Sequence, residues 1–298
     1  MLEINSLSKS FADVKAVSSL TLNIKPGING LVGENGAGKS TLLRIISGVI
    51  RADEGDVKID EYPCESKEAK AKVFFLPDDP YAPRRYNIKQ VVDFYSNFYD
   101  IDIHKFNDIL SRLELPDNKR VTDFSKGMKR QLFLALAMSI KCDYLLLDEA
   151  FDGIDPVTLD LIKQELIRLT EDENKTIVIA SHNIESLTQL ADHFILLYKG
   201  KLSTQEEISD IGNDLVKYQI LTKHTLTEQS LISCGIDVVS LKKVGSLYNI
   251  VALNDEEIEH KLVDLYQPSL LEKIPLDQDE IVTMEMLLAR KKELGHDK

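Results

Sequence analysis

The chain has 298 residues, 43% of them apolar and 29% charged, with a formal net charge of -13 at neutral pH. That length buries a substantial core, as one large domain or one large and one small, and the ordinary balance excludes a disordered or low-complexity chain. The acidic excess, which no basic tract offsets, excludes a general nucleic-acid partner, since such binding rests on Lys and Arg neutralising phosphates.

The opening segment, residues 1–11, has no basic start leading into an apolar stretch, so no secretory signal is expected and the protein is expected in the cytosol. Ile28–Val32 reads as an apolar strand and Lys39–Ile46 as a helix starting directly after a glycine-rich loop, the opening of an α/β unit. From about Tyr81 to Leu136 strand signals vanish, while Val91, Val92, Tyr95 and Phe98, then Phe106, Ile109 and Leu113, recur at helical spacing. A helical insertion is expected there. Tyr144–Leu147 and Thr176–Ala180 are short, continuous apolar runs of the kind that parallel strands buried on both faces show, with Thr158–Leu169 helical between them.

After Gly200 the pattern changes. Val216–Thr222 is strand-like, and Val238–Lys243 and Leu247–Leu253 form a hairpin about Gly245-Ser246. Glu256–Leu265 and Asp279–Lys292 are helical, the second capped by Asp277. The expected domains are residues 1–210, with the helical insertion at about 81–136, and a small C-terminal α+β domain at 211–298. Apolar runs such as Phe194–Tyr198 fall far short of the roughly 20 residues a spanning helix needs, so membrane association is expected only through a partner. Cys64, Cys142 and Cys234 are odd in number and far apart, and are expected to be packing thiols.

Gly33-Glu34-Asn35-Gly36-Ala37-Gly38-Lys39-Ser40-Thr41 fits the pattern GxxxxGK[ST], in which backbone N–H groups and a helix N-terminus wrap phosphates. Lys39 is expected to reach the β- and γ-phosphates and Ser40 to place its hydroxyl on Mg²⁺. Tyr144-Leu145-Leu146-Leu147-Asp148-Glu149 is an apolar strand ending in two carboxylates. Asp148 is expected to hold the metal, and Glu149 to accept a proton from the attacking water.

With Phe124-Ser125-Lys126-Gly127-Met128-Lys129-Arg130-Gln131 upstream of that acid pair, the chain resembles the ABC ATPases over about residues 1–210. The resemblance implies an α/β P-loop NTPase fold of ABC type with a helical insertion subdomain, ATP and Mg²⁺ as ligands, and ATP hydrolysis coupled to transport. It also implies that Ser125 and Gly127 close over the γ-phosphate held by the opposite subunit, although Lys126 stands for the first Gly of the usual LSGGQ and Met128 for its Gln. Phe11 matches the aromatic that stacks on adenine. Asp155 matches the aspartate of the loop that communicates between the two nucleotide sites, where Asp152 replaces the usual serine. His182 matches the γ-phosphate-sensing histidine that holds the water and Glu149. Asp78 stands in the position usually held by glutamine, where it is expected to contact Mg²⁺.

The acidic Asp78, the altered signature and the short C-terminal extension look similar to bacterial ABC-2-type export ATPases. The expected partners are an integral-membrane permease and a second ATPase subunit, identical or not, in a head-to-tail pair sandwiching two ATP molecules. The chain would then lie on the inner face of the cell membrane. A permease contact is expected in a groove between the Asp78 loop and the helical insertion, with Tyr81, Arg84 and Arg85 at its lip. Two other readings are open: a soluble assembly-scaffold ATPase, and a nucleotide switch that regulates a partner.

Overall fold

A ten-residue strand, β1 (Leu2–Phe11), turns back through Ala12 and Asp13 into β2 (Val14–Ile24), and the antiparallel pair buries Leu2, Ile4, Leu7, Leu20, Leu22 and Ile24. Ser6 and Ser19 adopt positive φ within the pair and shift its register. Gly27 then leads into β3 (Gly27–Val32), and Gly38 starts α1 (Lys39–Ile46), whose Leu42, Leu43, Ile45 and Ile46 are buried. The chain returns to the first sheet as β4 (Glu54–Ile59) and β5 (Tyr62–Pro63), giving the order β2-β1-β4-β5. No strand before Ile28 is among the sequence expectations. The positive-φ bulges break the period-two alternation that would have announced this sheet.

The structure is a computed structural model that describes residues 1–116, 119–207 and 210–296. It divides into two units, Met1–Glu207 and Ile208–Lys298.

In the first unit, α2 (Lys67–Lys72), capped by Ser66, precedes β6 (Val73–Leu76). Three helices follow, α3 (Ile88–Tyr95), α4 (Ile103–Arg112) and α5 (Lys126–Ser139), each opened by a side-chain cap from Asn87, Asp102 and Ser125 respectively. Strand β7 (Tyr144–Asp148) is buried at every position, and α6 (Pro156–Glu171) carries it to β8 (Thr176–Ala180), equally buried. A short helix, α7 (Ile184–Thr188), then leads to β9 (His193–Tyr198) and β10 (Lys201–Glu207). These strands make a second sheet in the order β10-β9-β3-β8-β7-β6, parallel except for β10. The β3 and β7 strands end at the same edge, each flanking β8, so the glycine-rich loop and the acid pair emerge side by side.

The second unit runs β11 (Leu215–Leu221), α8 (Glu228–Ser233), β12 (Val238–Val244), β13 (Leu247–Leu253), α9 (Ile258–Tyr266), β14 (Leu270–Ile274) and α10 (Gln278–His296). Its antiparallel sheet has the order β12-β13-β11-β14. One sheet face carries Val216, Tyr218 and Ile220 against Leu231 of α8 and Leu262 of α9, while Leu215, Val239 and Val251 on the other pack on Met284 of α10. That division follows the period-two alternation of a strand buried on both sides. Asp277 Oδ1 accepts from the Glu280 amide at 2.8 Å and caps α10.

Candidate functional site

The loop between β3 and α1 is shaped by backbone crowding. A Cβ on Gly33 would collide with the carbonyl oxygen of Leu197, and one on Gly38 with that of Ala16, so the loop lies directly on β9 and β2. Gly36 and Gly38 have φ of 82° and 103°, a region that side chains disfavour. Glu34, Asn35 and Gly36 form an exposed rim, whereas Ala37 and Lys39 are buried and Ser40 and Thr41 half-buried. Lys39 Nζ donates to the carbonyls of Gly33, at 2.7 Å, and Glu34, at 3.3 Å. Burial lowers the pKa of this amine, and the carboxylates of Glu149 and Asp148 partly offset that.

Ser40 Oγ donates to Asp148 Oδ1 at 3.0 Å. Asp148, at the end of β7, is 1% exposed, and burial raises its carboxyl pKa, with the Ser40 hydrogen bond opposing and the charges of Glu149 and Asp78 adding. A buried carboxylate and a hydroxyl within hydrogen-bond distance of each other are an oxygen donor set that suits a hard divalent cation. The residues present therefore fit Mg²⁺, with Ser40 and Asp148 as the groups that would hold it. Asp78 sits close enough to add its charge, but its Oδ1 is engaged at 2.5 Å by Nη2 of the buried Arg130.

Glu149, next along from Asp148, has φ of 48°, in the left-handed region that non-glycine residues seldom occupy. Its amide donates to the carbonyl of Ala180 at the end of β8, and its Oε2 meets His182 Nδ1 at 2.8 Å and accepts from the His182 amide at 3.3 Å. The adjacent parallel strands β7 and β8 thus deliver an acid and an imidazole to one point. His182 Nε2 faces Asp152 Oδ1 at 3.8 Å. The sequence pattern gave Asp152 no place in the site. Its signal lay in the carboxylate where the family usually has serine.

Lys39, Ser40, Asp148, Glu149 and His182 therefore form one connected group. Ser125, Gly127, Asp155 and Phe11, also singled out from the sequence, have no hydrogen bond or ion pair to it among the described residues. Ser125 Oγ accepts from the Met128 amide at 3.1 Å and caps α5, and Gly127 approaches the carbonyl of Gly153 so closely that a Cβ there would collide with it. Asp155 Oδ1 accepts from the Thr158 amide at 3.0 Å and caps α6, whose first residue is Pro156. That bond holds the Asp155 carboxyl pKa below its usual value. Among the described residues, no hydrogen bond or ion pair joins Ser125 or Gly127 to the phosphate loop. Phe11, at the exposed end of β1, has the Lys9 ammonium 5.6 Å from its ring centroid.

A groove of about 550 Å³ opens between the Asp78 loop and α5, lined by Asp78, Tyr81, Thr122, Lys129 and Phe133 among others. Arg84 and Arg85, expected at its lip, are not in its lining. No described helix is long and apolar enough to cross a membrane.

Comparison with known proteins identifies the family and the fold. Residues 17–152 match the family model described as "ABC transporter". The ABC transporter ATP-binding protein YtrB of Bacillus subtilis is 26% identical over 94% of this chain and 96% of its own length. The bacitracin transport ATP-binding protein BcrA of Bacillus licheniformis is 32% identical over 68% of each chain, and the Nod factor export ATP-binding protein I of Rhizobium etli is 29% identical over 74% of this chain and 72% of its own. Among solved structures, the dimeric bacterial ABC transporter cassette MJ0796 superposes with a TM-score of 0.61 at 22% identity, over 70% of this chain and 98% of its own, which speaks for the fold. The chain belongs to the ABC transporter family, as one of its ATP-binding, ATP-hydrolysing subunits.

Proposed function

We propose that this subunit hydrolyses ATP with Glu149 as general base and uses the cycle to drive export through a separate integral-membrane permease. The observation that carries the reading is the 2.8 Å contact between Glu149 and His182, set beside the Ser40–Asp148 pair and the Lys39 loop. Water adds to the γ-phosphorus as the bond to the β–γ bridging oxygen breaks. Its proton passes to Glu149, which His182 holds in place. Lys39, Gly33, Asn35, Gly36, Ala37, Gly38 and Thr41 cradle the phosphates, and Phe11 stacks on the adenine. Mg²⁺, held by Ser40 and Asp148 with Asp78 alongside, would neutralise charge building on the β- and γ-phosphates.

In this reading a second ATPase subunit docks head to tail, so that Ser125 and Gly127 of one subunit close over the nucleotide of the other, with Asp155 at the contact. The helix start at Ser125 is suited to the added phosphate charge. Closure drives the permease, seated in the Tyr81–Phe133 groove, only if the permease has different affinity for the open and closed pair. The chain works at the inner face of the membrane through that partner. The ATPase chemistry lies in the first unit.

The test is Glu149→Gln in the full chain. ATP binding is retained, hydrolysis drops about 10²- to 10⁴-fold, the contribution of a positioned general base, and an ATP-bound dimer accumulates on size-exclusion chromatography. Near-normal turnover would falsify the assignment. Direction is read in inverted membrane vesicles carrying the chain and its permease: an export system given ATP outside takes up a probe such as bacitracin, and an import system does not.

A further inference from the structure

Lys126 occupies the first position of α5, where the helix terminus is already positive, and the first turn of that helix holds no acidic residue to offset it. Its partner is nonlocal: Lys126 Nζ lies 3.7 Å from Asp152 Oδ2. The other oxygen of the same carboxylate, Oδ1, is 3.8 Å from His182 Nε2, and His182 Nδ1 meets Glu149 Oε2 at 2.8 Å. Four side chains thus form a line of alternating acid and base from the start of α5 to the residue that activates water.

The backbone holds that line in register. Gly153 has φ of 74°, and its carbonyl lies so close beneath Gly127 that no side chain fits between them. The Asp152 amide reaches back to the Glu149 carbonyl at 3.5 Å, so Asp152 and Glu149 belong to one tight turn. His182 consequently sits between two carboxylates, and only one of them, Glu149, adjoins Asp148. An uncompensated Asp152 would compete with Glu149 for the imidazole and place another negative charge beside the position of the γ-phosphate. The Lys126 ammonium, 3.7 Å from Asp152 Oδ2, opposes both effects.

We propose that Lys126 and Asp152 are positioning residues for hydrolysis: their ion pair keeps the His182 imidazole on Glu149 and joins the first turn of α5 to the catalytic pair of the same subunit. This rests on the roles given above to Glu149 and His182. In a head-to-tail pair the start of α5 faces the opposite nucleotide, so the same link ties one subunit's contact with that nucleotide to the chemistry at its own.

The experiment is a mutant cycle on steady-state ATP hydrolysis by the full chain, with Lys126→Gln, Asp152→Asn, the double variant, Lys126→Arg and Glu149→Gln. Thermal midpoints and binding of a fluorescent ATP analogue are followed in each. Lys126→Gln is expected to lower kcat about two- to fivefold, the scale of a solvent-exposed ion pair, with KM nearly unchanged. Lys126→Arg keeps the parental rate. In the Asp152→Asn background the Lys126→Gln effect disappears, and in the parental background it shrinks as salt rises. The inference is overturned if Lys126→Gln costs the same factor in both backgrounds, if its effect falls on KM, or if Arg does not substitute. Glu149→Gln separates the two levels: retained turnover there overturns the catalytic reading and this inference together, whereas lost turnover with a background-independent Lys126 effect overturns only the ion pair.

Discussion

Ser40 Oγ donates to Asp148 Oδ1 at 3.0 Å, tying the first turn of α1 to the end of β7 across 108 positions of chain. That bond orients the hydroxyl and the carboxylate proposed above to hold Mg²⁺, and in that reading Ser40→Ala removes one ligand and frees the other to rotate. The Mg²⁺ concentration for half-maximal hydrolysis is expected to rise about ten- to a hundredfold, the usual cost of losing a group that orients a metal ligand. Nucleotide binding measured without Mg²⁺ should change far less. Hydrolysis titrated with Mg²⁺ at saturating ATP decides it, and an unchanged midpoint removes Ser40 from the metal.

The loop and the acid pair were legible from sequence because their chemistry is local: glycines, a lysine and a hydroxyl in one run, and an apolar strand ending in two acids. The parallel strands were legible for a similar reason, since burial on both faces leaves an unbroken apolar run. Other features depend on residues far apart. Asp78 finds Arg130 at a separation of 52, and Lys126 finds Asp152 only because the backbone at Gly127 packs on Gly153. Lys126 and Asp152, two of the departures from the family pattern, were visible in the sequence, but nothing in the sequence pairs them. The first sheet escaped notice because the turns at Ser6 and Ser19 interrupt its alternation.

The three loop glycines should differ in cost. Gly38→Ala combines a φ of 103° with a collision against the Ala16 carbonyl, Gly33→Ala has only a collision, and Gly36→Ala has only its φ of 82° with open space around the added methyl. The expected order of lost stability is therefore Gly38, Gly33, Gly36. The last costs about 1–2 kcal/mol, the penalty for an L-residue in the left-handed region. Thermal unfolding of the three variants gives the order. If Gly36→Ala proves the most disruptive, packing on β2 and β9 is not what shapes the loop.

The contact of Asp78 with Arg130 and the role proposed for it at Mg²⁺ can be separated. Arg130 is 2% exposed, so Asp78→Ala leaves a buried guanidinium without its carboxylate. Because Asp78 itself is 55% exposed, water screens the loss, and the expected cost is about 1–3 kcal/mol rather than the larger penalty of a fully buried pair. Arg130→Met in the same chain should restore most of the thermal midpoint. The double variant then reports on metal alone: a raised Mg²⁺ requirement assigns Asp78 to the cation, and an unchanged one leaves it solely as the counter-ion of Arg130.

Asp148 should exchange stability for activity. Burial raises its carboxyl pKa above the ordinary value of 3.8, so folding favours the protonated form and ionisation works against the folded state. The sign follows: this group's contribution to stability is complete below 3.8 and is lost as pH rises through the raised pKa, after which it stays constant. Asp148→Asn removes the charge at nearly constant shape, and Ser40 can still donate to the amide oxygen. Without Mg²⁺, the variant is therefore expected to melt above the parent at neutral pH, by about 2–4 °C for each kcal/mol recovered. The gap between the two melting curves closes as pH is lowered toward 3.8. Adding Mg²⁺ with a non-hydrolysable ATP analogue should stabilise the parent more than the variant, because only the parent has the carboxylate. A variant that melts below the parent at neutral pH would show that the Ser40 bond and the Arg44 charge outweigh desolvation, reversing the direction assigned to Asp148.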